Sequence, residues 1–153
     1  MFHAIWVDQR QTGFQDALSV RVDVFTKEQG YSPDLETDEN DDVSVHAVVY
    51  DGGKPIATGR LFLDEGFWHI GRVCVLADHR GKGYGDLVVR MLCERAFETD
   101  PQLDIILHSQ LPAKGLYEKI GFIQQGDIFM EEGQSHVLMR LASSGFKKPC
   151  HVS

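Results

Sequence analysis

The chain has 153 residues, of which 42% are hydrophobic and 25% are charged, and this predicts one globular domain with a sizeable core. Its formal net charge of −8 argues against a general nucleic-acid binder, because such proteins usually present a basic surface. No apolar run approaches the roughly 20 residues that a membrane-spanning helix needs, so we expect no membrane contact.

The N-terminus and the cysteines indicate the cellular compartment. The first residues lack the basic segment and the apolar core of a signal peptide, which predicts a cytoplasmic protein. Cys74, Cys93 and Cys150 are odd in number and widely spaced. This pattern favours reduced thiols over a disulfide framework or a zinc site.

A strand, a helix and an acidic loop are predicted at the start of the chain. We expect the strand at residues 2–7 and the helix at 13–28, where apolar side chains recur on one helical face. Residues 34–42 hold six acidic side chains and no basic one, so we expect a solvated loop there. Asp38 and its neighbours partly match a calcium-binding loop, but the glycine and the glutamate that complete such a loop are missing. We therefore predict no metal site.

Three strands are predicted next, at residues 43–50, 55–63 and 67–76. Turns at Asp51-Gly52-Gly53 and Asp64-Glu65-Gly66 join them, which predicts an antiparallel meander.

The last part of the chain is predicted to alternate between helices and strands. A helix with an apolar stripe follows residue 84, and a short buried strand follows at 103–108. A helix at 112–120 and a hairpin at 122–141 come next, before an irregular tail at 143–153. The order β-α-β-β-β-α-β-α-β-β predicts a single α+β domain over residues 1–142. Its mixed, mostly antiparallel sheet has about seven strands, with helices on both faces.

The most informative segment is Arg80-Gly81-Lys82-Gly83-Tyr84-Gly85, which follows an apolar strand and opens a helix. The backbone amides of such a turn and the dipole of the helix together form an anion site. The segment is neither a P-loop nor a dinucleotide fingerprint, because Asp86 stands where the third glycine of the fingerprint would be. It predicts a ligand that carries phosphate.

The string R-G-x-G-x-G after a strand resembles the acetyl-CoA motif of the GNAT N-acetyltransferases. Residues 116–122 resemble the Y-x-x-x-G-F element of that family, and residues 21–29 spell R-x-x-V-F-x-x-E-Q. Together with short matches around His46, His108 and His136, the set is similar to the bacterial ElaA-like group. The resemblance extends over nearly the whole chain, and it implies the GNAT fold for residues 1–142.

The resemblance implies an N-acetyltransferase that moves an acetyl group from acetyl-CoA directly to the amine of a small molecule. It assigns the pantetheine arm to a strand that splays away from its neighbour, around Val73, Cys74 and Val75, with a backbone N–H near Val75 facing the oxyanion. The cofactor phosphates are assigned to the glycine-rich segment, whose contributing residues are Arg80, Gly81, Lys82, Gly83, Tyr84 and Gly85. Ser109 stands where the family often has asparagine, and we expect its hydroxyl to hold the cofactor or a water.

Tyr117 is the candidate general acid, because in the family this tyrosine protonates the leaving thiolate. A phenol with a pKa of about 10 keeps its proton at neutral pH. The candidate general bases are Glu28, His46 and His136. Cys74 lies beside the expected thioester, and we expect it to pack there rather than to carry the acyl group.

The acceptor site is expected to include Arg21, Glu28, Gln29, Arg60 and Arg72. The arginines either pair with acidic side chains or bind a carboxylate or phosphate of the acceptor. Two other functions stay open, a CoA-binding sensor module and an acyl-homoserine-lactone synthase-like enzyme. Family members often dimerise, so a homodimer is a further expectation, and the residues do not identify the acceptor.

Overall fold

The computed structural model describes residues 2–32 and 37–147. The strands are β1 (Phe2–Val7), β2 (Val45–Asp51), β3 (Lys54–Asp64), β4 (Phe67–Val75), β5 (Ile105–Gln110), β6 (Ile123–Glu131) and β7 (Gln134–Leu141). The helices are α1 (Gly13–Arg21), which continues as a π-helix (Val22–Glu28), then α2 (Tyr84–Thr99) and α3 (Lys114–Ile120). The strands form one sheet in the order β1-β2-β3-β4-β5-β7-β6. The predicted α+β class and element order are confirmed. Of the predicted acidic loop, Asp34 and Glu36 lie outside the described residues, as do Cys150 and the end of the predicted tail.

Helices cover both faces of the sheet, as the sequence predicts. Side chains alternate between the two faces of a strand, and along β2 Ala47 and Val49 pack into the cluster that contains α2. Val48 and Tyr50 belong instead to the cluster beneath α1. The sheet therefore has a hydrophobic layer on each side.

The contact between α2 and the sheet is closest at Gly59 of β3. A Cβ atom on Gly59 would lie 2.8 Å from Val88 Cγ1 and 2.9 Å from Leu92 Cδ1. Glycine at this position therefore allows α2 to approach the centre of the sheet.

The sheet opens between β4 and β5. These two strands are parallel and pair only at Trp68–Ile105 and His69–Ile106. Beyond that point β4 continues to pair with β3, and β5 with β7. Arg72 has a φ of 54°, and the β3–β4 register shifts beside it, which indicates a β-bulge. A cleft with unpaired backbone edges results, as the resemblance implies.

Two details of the predicted elements are corrected. Residues 13–28 are helical, but the second half has π-type spacing, and the N–H of Gln29 donates to the carbonyl of Val24 at 3.0 Å. The fifth strand begins two residues later than predicted and extends to Gln110. Just before this strand, the carbonyl of Asp104 accepts a hydrogen bond from the N–H of Trp68 on β4, at 2.9 Å.

The acidic loop is not a solvated loop throughout. Residues Glu39–Val43 form a 3₁₀-helix that Asp38 caps, and Asp41 is completely buried. The sequence did not predict this burial, because it depends on arginines that approach from α1 and β3. The start of the predicted tail also forms one 3₁₀ turn, at Ser143–Gly145.

Candidate active site

The cleft between β4 and β5 widens into a cavity of about 680 Å³, a volume typical of small-molecule sites. One wall is the diverging part of β4, which includes Val73, Cys74 and Val75. The wall opposite is β5 with the β6–β7 hairpin, and the first helix with its π-helical continuation lies across the cavity. Residues from distant parts of the sequence therefore meet at this opening.

Tyr117 lies on α3 and lines the cavity. Its ring packs edge-on against Phe122 and is only 7% exposed. Burial, with smaller contributions from Cys74 and Cys93, raises the pKa of Tyr117 well above that of an ordinary phenol. The hydroxyl therefore stays protonated across the whole physiological range, as a proton donor must.

Cys74 is also buried beside the cavity. Burial raises the pKa of its thiol to about 12. The nucleophilic form of cysteine is the thiolate, so this environment suits a packing role and does not suit an acyl-carrying one.

The glycine-rich segment has the conformation of an anion site. Gly81 and Gly83 have positive φ values of 78° and 87°, and Gly83 is the left-handed N-cap of α2. The backbone N–H groups of residues 81–85 donate to no carbonyl in the part of the chain that the structure describes. Gly81, Lys82 and Gly83 are exposed. The donors of the helix N-terminus are thus available to a ligand.

Arg80 connects this segment to the first helix. Its guanidinium forms two hydrogen bonds of 2.5 Å with the carboxylate of Glu28, and its Nε donates to the carbonyl of Val75 at 3.0 Å. The hydrogen bonds from Arg80 lower the pKa of Glu28. Glu28 is consequently a weaker base in this arrangement than a free carboxylate.

The three candidate bases occupy different places. Glu28 is held by Arg80 at the rim, and His46 is only 1% exposed beneath Phe14, away from the cavity. Burial lowers the pKa of His46 despite the nearby Asp41. His136 alone of the three lines the cavity. Its Nδ1 lies 2.9 Å from the carbonyl oxygen of Gln134 and must carry the hydrogen, so the neutral ring has its lone pair on Nε2.

Ser109 does not line the cavity. Its side chain is buried on the opposite face of β5, and its hydroxyl donates to the carbonyl of Gln110 at 2.8 Å. On the same strand, the residues that line the cavity are Ile106, Leu107, His108 and Gln110. The amide of Gln110 donates to Gln29 at 2.8 Å and to the hydroxyl of Tyr31 at 3.0 Å.

The three arginines of the expected acceptor site converge on two carboxylates. Asp41 accepts from Arg21 at 2.9 and 3.2 Å and from Arg60 at 3.0 Å. Asp38 accepts from Arg60 at 2.6 and 2.9 Å and from Arg72 at 3.3 Å. Arg21, Arg60 and Arg72 all line the cavity. Of the two alternatives in the sequence analysis, the structure shows the pairing with carboxylates, and the paired arginines lie at the wall of the cavity. Contact with an acceptor stays a prediction.

Two acidic residues on the opposite wall, Glu131 and Glu132, were not predicted from the sequence. Glu131 of β6 lies 3.0 Å from the Nδ1 of His108 and 3.7 Å from the Nε2 of His136. Glu132 also lines the cavity, with a φ of 52° in the hairpin turn. The side chains of Phe129 and Glu131 lie on the same face of β6, because side chains alternate along a strand. The sequence alone does not show which face of an edge strand borders a cavity, so this signal was not sufficient to predict Glu131.

Over residues 2–32 and 37–147, no group of three or more His, Cys, Asp or Glu side chains has metal-site geometry. No helix within those ranges is long and apolar enough to cross a membrane.

Comparisons with known proteins identify relatives over almost the whole chain. A family model described as an acetyltransferase (GNAT) domain matches residues 13–143. The uncharacterized N-acetyltransferase YjcF of Bacillus subtilis is 34% identical over 134 residues, which cover 87% of this chain and 95% of the relative.

Solved structures agree with these sequence relatives. An acyl-CoA N-acyltransferase from Pseudomonas aeruginosa superposes with a TM-score of 0.84 and 25% identity, covering 93% of this chain and all of that one. ElaA of Escherichia coli superposes with a TM-score of 0.83 at 22% identity, covering 92% and 99% of the two chains. At that identity the likeness to ElaA shows the fold alone.

Proposed function

Because the chain belongs to the GNAT acetyltransferase family and is therefore an acyltransferase, we propose that it transfers an acetyl group from acetyl-CoA to the amine of a small molecule. The observation that carries this proposal is the position of Tyr117. Tyr117 lines the cavity that opens where β4 and β5 separate, and its buried hydroxyl is protonated. A proton donor at that place suits the departure of a thiolate.

The residues around the cleft fit an acyl-CoA molecule. The exposed amides and positive φ values of Gly81 and Gly83 suit a pyrophosphate, and Lys82 adds positive charge beside it. The diverging edge of β4 suits a pantetheine amide, because that edge lacks a partner strand. When bound, acetyl-CoA supplies an acetyl group activated as a thioester.

The remaining steps belong to side chains of this protein. An alkylamine with a pKa near 10 is about 0.1% neutral at pH 7, so a base must take its proton. His136 can do so through Nε2, because the carbonyl of Gln134 holds the hydrogen on Nδ1. The amine nitrogen then forms a bond to the acetyl carbon, the carbon–sulfur bond breaks, and Tyr117 gives its proton to the departing sulfur. The ammonium group loses two protons in all. The first passes through His136 to solvent, and the second leaves the nitrogen after it has bonded to the acetyl carbon and restores the hydroxyl of Tyr117. The products are an amide and CoA.

Thioester consumption with a panel of amines tests this proposal. We expect turnover with at least one amine, and we expect Tyr117→Phe to lower kcat by about a hundredfold or more, the usual range for general acids. Affinity for CoA, measured by calorimetry, should stay unchanged. Tyr50→Phe is the matched control, because Tyr50 donates to Asp16 outside the cavity. CoA binding without turnover of any amine would contradict transfer and would instead indicate a sensor.

A further inference from the structure

The acceptor cavity carries opposite charges on its two walls. Arg60 and Arg72 lie on one wall, and Glu131 and Glu132 lie on the other. Burial raises the pKa of the phenol of Tyr31, the two glutamates raise it further, and Arg72 lowers it. Tyr31 lines the same cavity as the four charged residues, so the two charged groups border one space.

The arginine wall contains a buried donor of Arg60 that no described residue meets. Each oxygen of Asp38 and Asp41 already accepts two hydrogen bonds, from the arginines or from backbone N–H groups. A carboxylate offers about four acceptor sites, so these two are saturated. The Nε of Arg60 is buried and has no hydrogen-bond partner among the described residues. Arg60 is only 5% exposed, and an unmet buried donor of this kind is costly unless a ligand or water meets it.

Arg72 lines the cavity and is partly exposed. The β-bulge gives it a positive φ of 54°, and 30% of its side chain is exposed. Its Nη2 donates to Asp38 at 3.3 Å, and a guanidinium with five N–H donors is not limited to one acceptor. Burial lowers the pKa of Arg72, and the charge of Arg60 lowers it further. An anion in the cavity would counter the repulsion between these two cations.

We infer that the acceptor is an amino acid or a closely similar zwitterion. Its carboxylate binds at Arg60 and Arg72, and its ammonium group faces Glu131 and Glu132 beside His136. A carboxylate fits this wall better than a phosphate dianion, because Asp38 already lies 3.3 Å from Arg72 and would repel a second charge more strongly. This inference rests on the proposed function, since it names the substrate of the same site.

Direct binding tests the inference without relying on turnover. Calorimetry in the presence of CoA would use L-α-amino acids, β-alanine, γ-aminobutyrate and ε-aminocaproate. Each is paired with the amino alcohol in which a hydroxyl replaces the carboxylate, and spermidine represents amines without an anionic group. We expect at least one amino acid to bind about ten- to a hundredfold more tightly than its alcohol, as a charge-assisted pair predicts.

Variants of Arg72 test whether the arginine wall causes the preference for an amino acid over its alcohol. Arg72→Ala should remove the preference for the carboxylate and leave the weak affinity for the amino alcohol unchanged. Arg72→Lys keeps the positive charge but lacks the planar guanidinium, so it should retain part of the preference for the carboxylate. This variant replaces Arg72→Ala in the test if the alanine variant does not fold. Glu131→Gln should lower the affinity for the amino acid and for the alcohol equally, since both ligands carry the ammonium group.

The outcomes separate this inference from the proposed function. Turnover of spermidine or amino alcohols equal to that of amino acids, with Arg72 variants unchanged, would overturn the zwitterion and leave the acetyltransferase intact. Binding of an amino acid that depends on Arg72, without any thioester consumption, would support the zwitterion site and contradict the transfer reaction. An absence of measurable preference in every pair would overturn the inference.

Discussion

Asp41 balances the charge of the buried arginines. It is completely buried and binds Arg21 and Arg60, which are themselves almost entirely buried. A buried ion pair is weak evidence of net stabilisation, but removing one partner leaves an uncompensated charge and is strongly destabilising. Asp41 thereby fixes the side chains that form one wall of the cavity.

We predict that Asp41→Asn lowers the free energy of unfolding by about 3–5 kcal/mol at neutral pH, the usual effect of breaking a buried ion pair. Urea unfolding would measure the change. Glu39→Gln removes an exposed acidic side chain from the same 3₁₀-helix and should change stability by less than about 0.5 kcal/mol. An equal loss in both variants would show that Asp41 has no special role.

The same comparison has a defined pH dependence. Burial alone would raise the pKa of Asp41, but the hydrogen bonds and charge of Arg21 outweigh it and lower the pKa to about 2. A carboxylate with a lowered native pKa stabilises the fold fully above its unfolded pKa of about 4, and loses this effect as the pH falls toward 2. The gap between the native protein and Asp41→Asn should therefore be constant above about pH 5 and shrink by about 2 kcal/mol below pH 4.

At the scale of secondary structure, the packing of α2 on β3 requires a residue without a side chain, Gly59. Gly59 lies beneath Val88 and Leu92 of α2, with no space for a Cβ atom. Because interiors are packed as densely as crystals, an added methyl group must displace the helix or force its side chains from their rotamers. The approach of α2 also sets the direction of its N-terminus, where the glycine-rich segment lies.

Gly59→Ala should therefore destabilise the protein by about 1–3 kcal/mol, the usual effect of overpacking a core, and thermal unfolding would show it. Gly115→Ala is the matched control. Gly115 lies on α3 with nothing within 4 Å of an added Cβ atom, and alanine at a helical position is neutral or stabilising. A Gly59→Ala protein as stable as the native one would mean that α2 adjusts without strain.

The sequence predicts the elements more completely than their contacts. Hydrophobic periodicity and glycine turns give the class and order of the elements, because both signals are local. The π-helical end of the first helix was missed, since an apolar face does not distinguish three types of helix. The burial of Asp41 was missed for a different reason, because its partners Arg21 and Arg60 are 20 and 19 residues away in the sequence.

The residues of the candidate site also differ in whether local sequence signals could predict them. Tyr117 and the glycine-rich segment belong to motifs, and each lies at the cleft. Glu131 and Glu132 belong to no motif, and they reach the cavity only because β6 and β7 have a particular register. Their position required the fold, and so does the prediction of a zwitterionic acceptor.

At the scale of the whole molecule, one ion pair joins the π-helical continuation of α1 to the glycine-rich segment, which we propose as the acceptor side and the CoA side of the cavity. Glu28 ends the π-helical continuation of α1, and Arg80 opens the glycine-rich segment before α2. The two side chains meet across the mouth of the cavity and are each about 40% exposed. Arriving phosphates would compete with Glu28 for the guanidinium, and the carboxylate would also repel them.

We predict that Glu28→Gln binds CoA about two- to tenfold more tightly than the native protein, because the variant removes both the competitor and the repulsion. Calorimetry at low and high salt would measure the change, which should be larger at low salt since the pair is partly exposed. Pantetheine lacks the phosphates, so its affinity should not change. Glu94→Gln is the control, since it removes an exposed charge of α2 that does not line this cavity. Weaker binding of CoA by Glu28→Gln would mean that Glu28 holds Arg80 in place for the phosphates, and the two halves would then cooperate rather than compete.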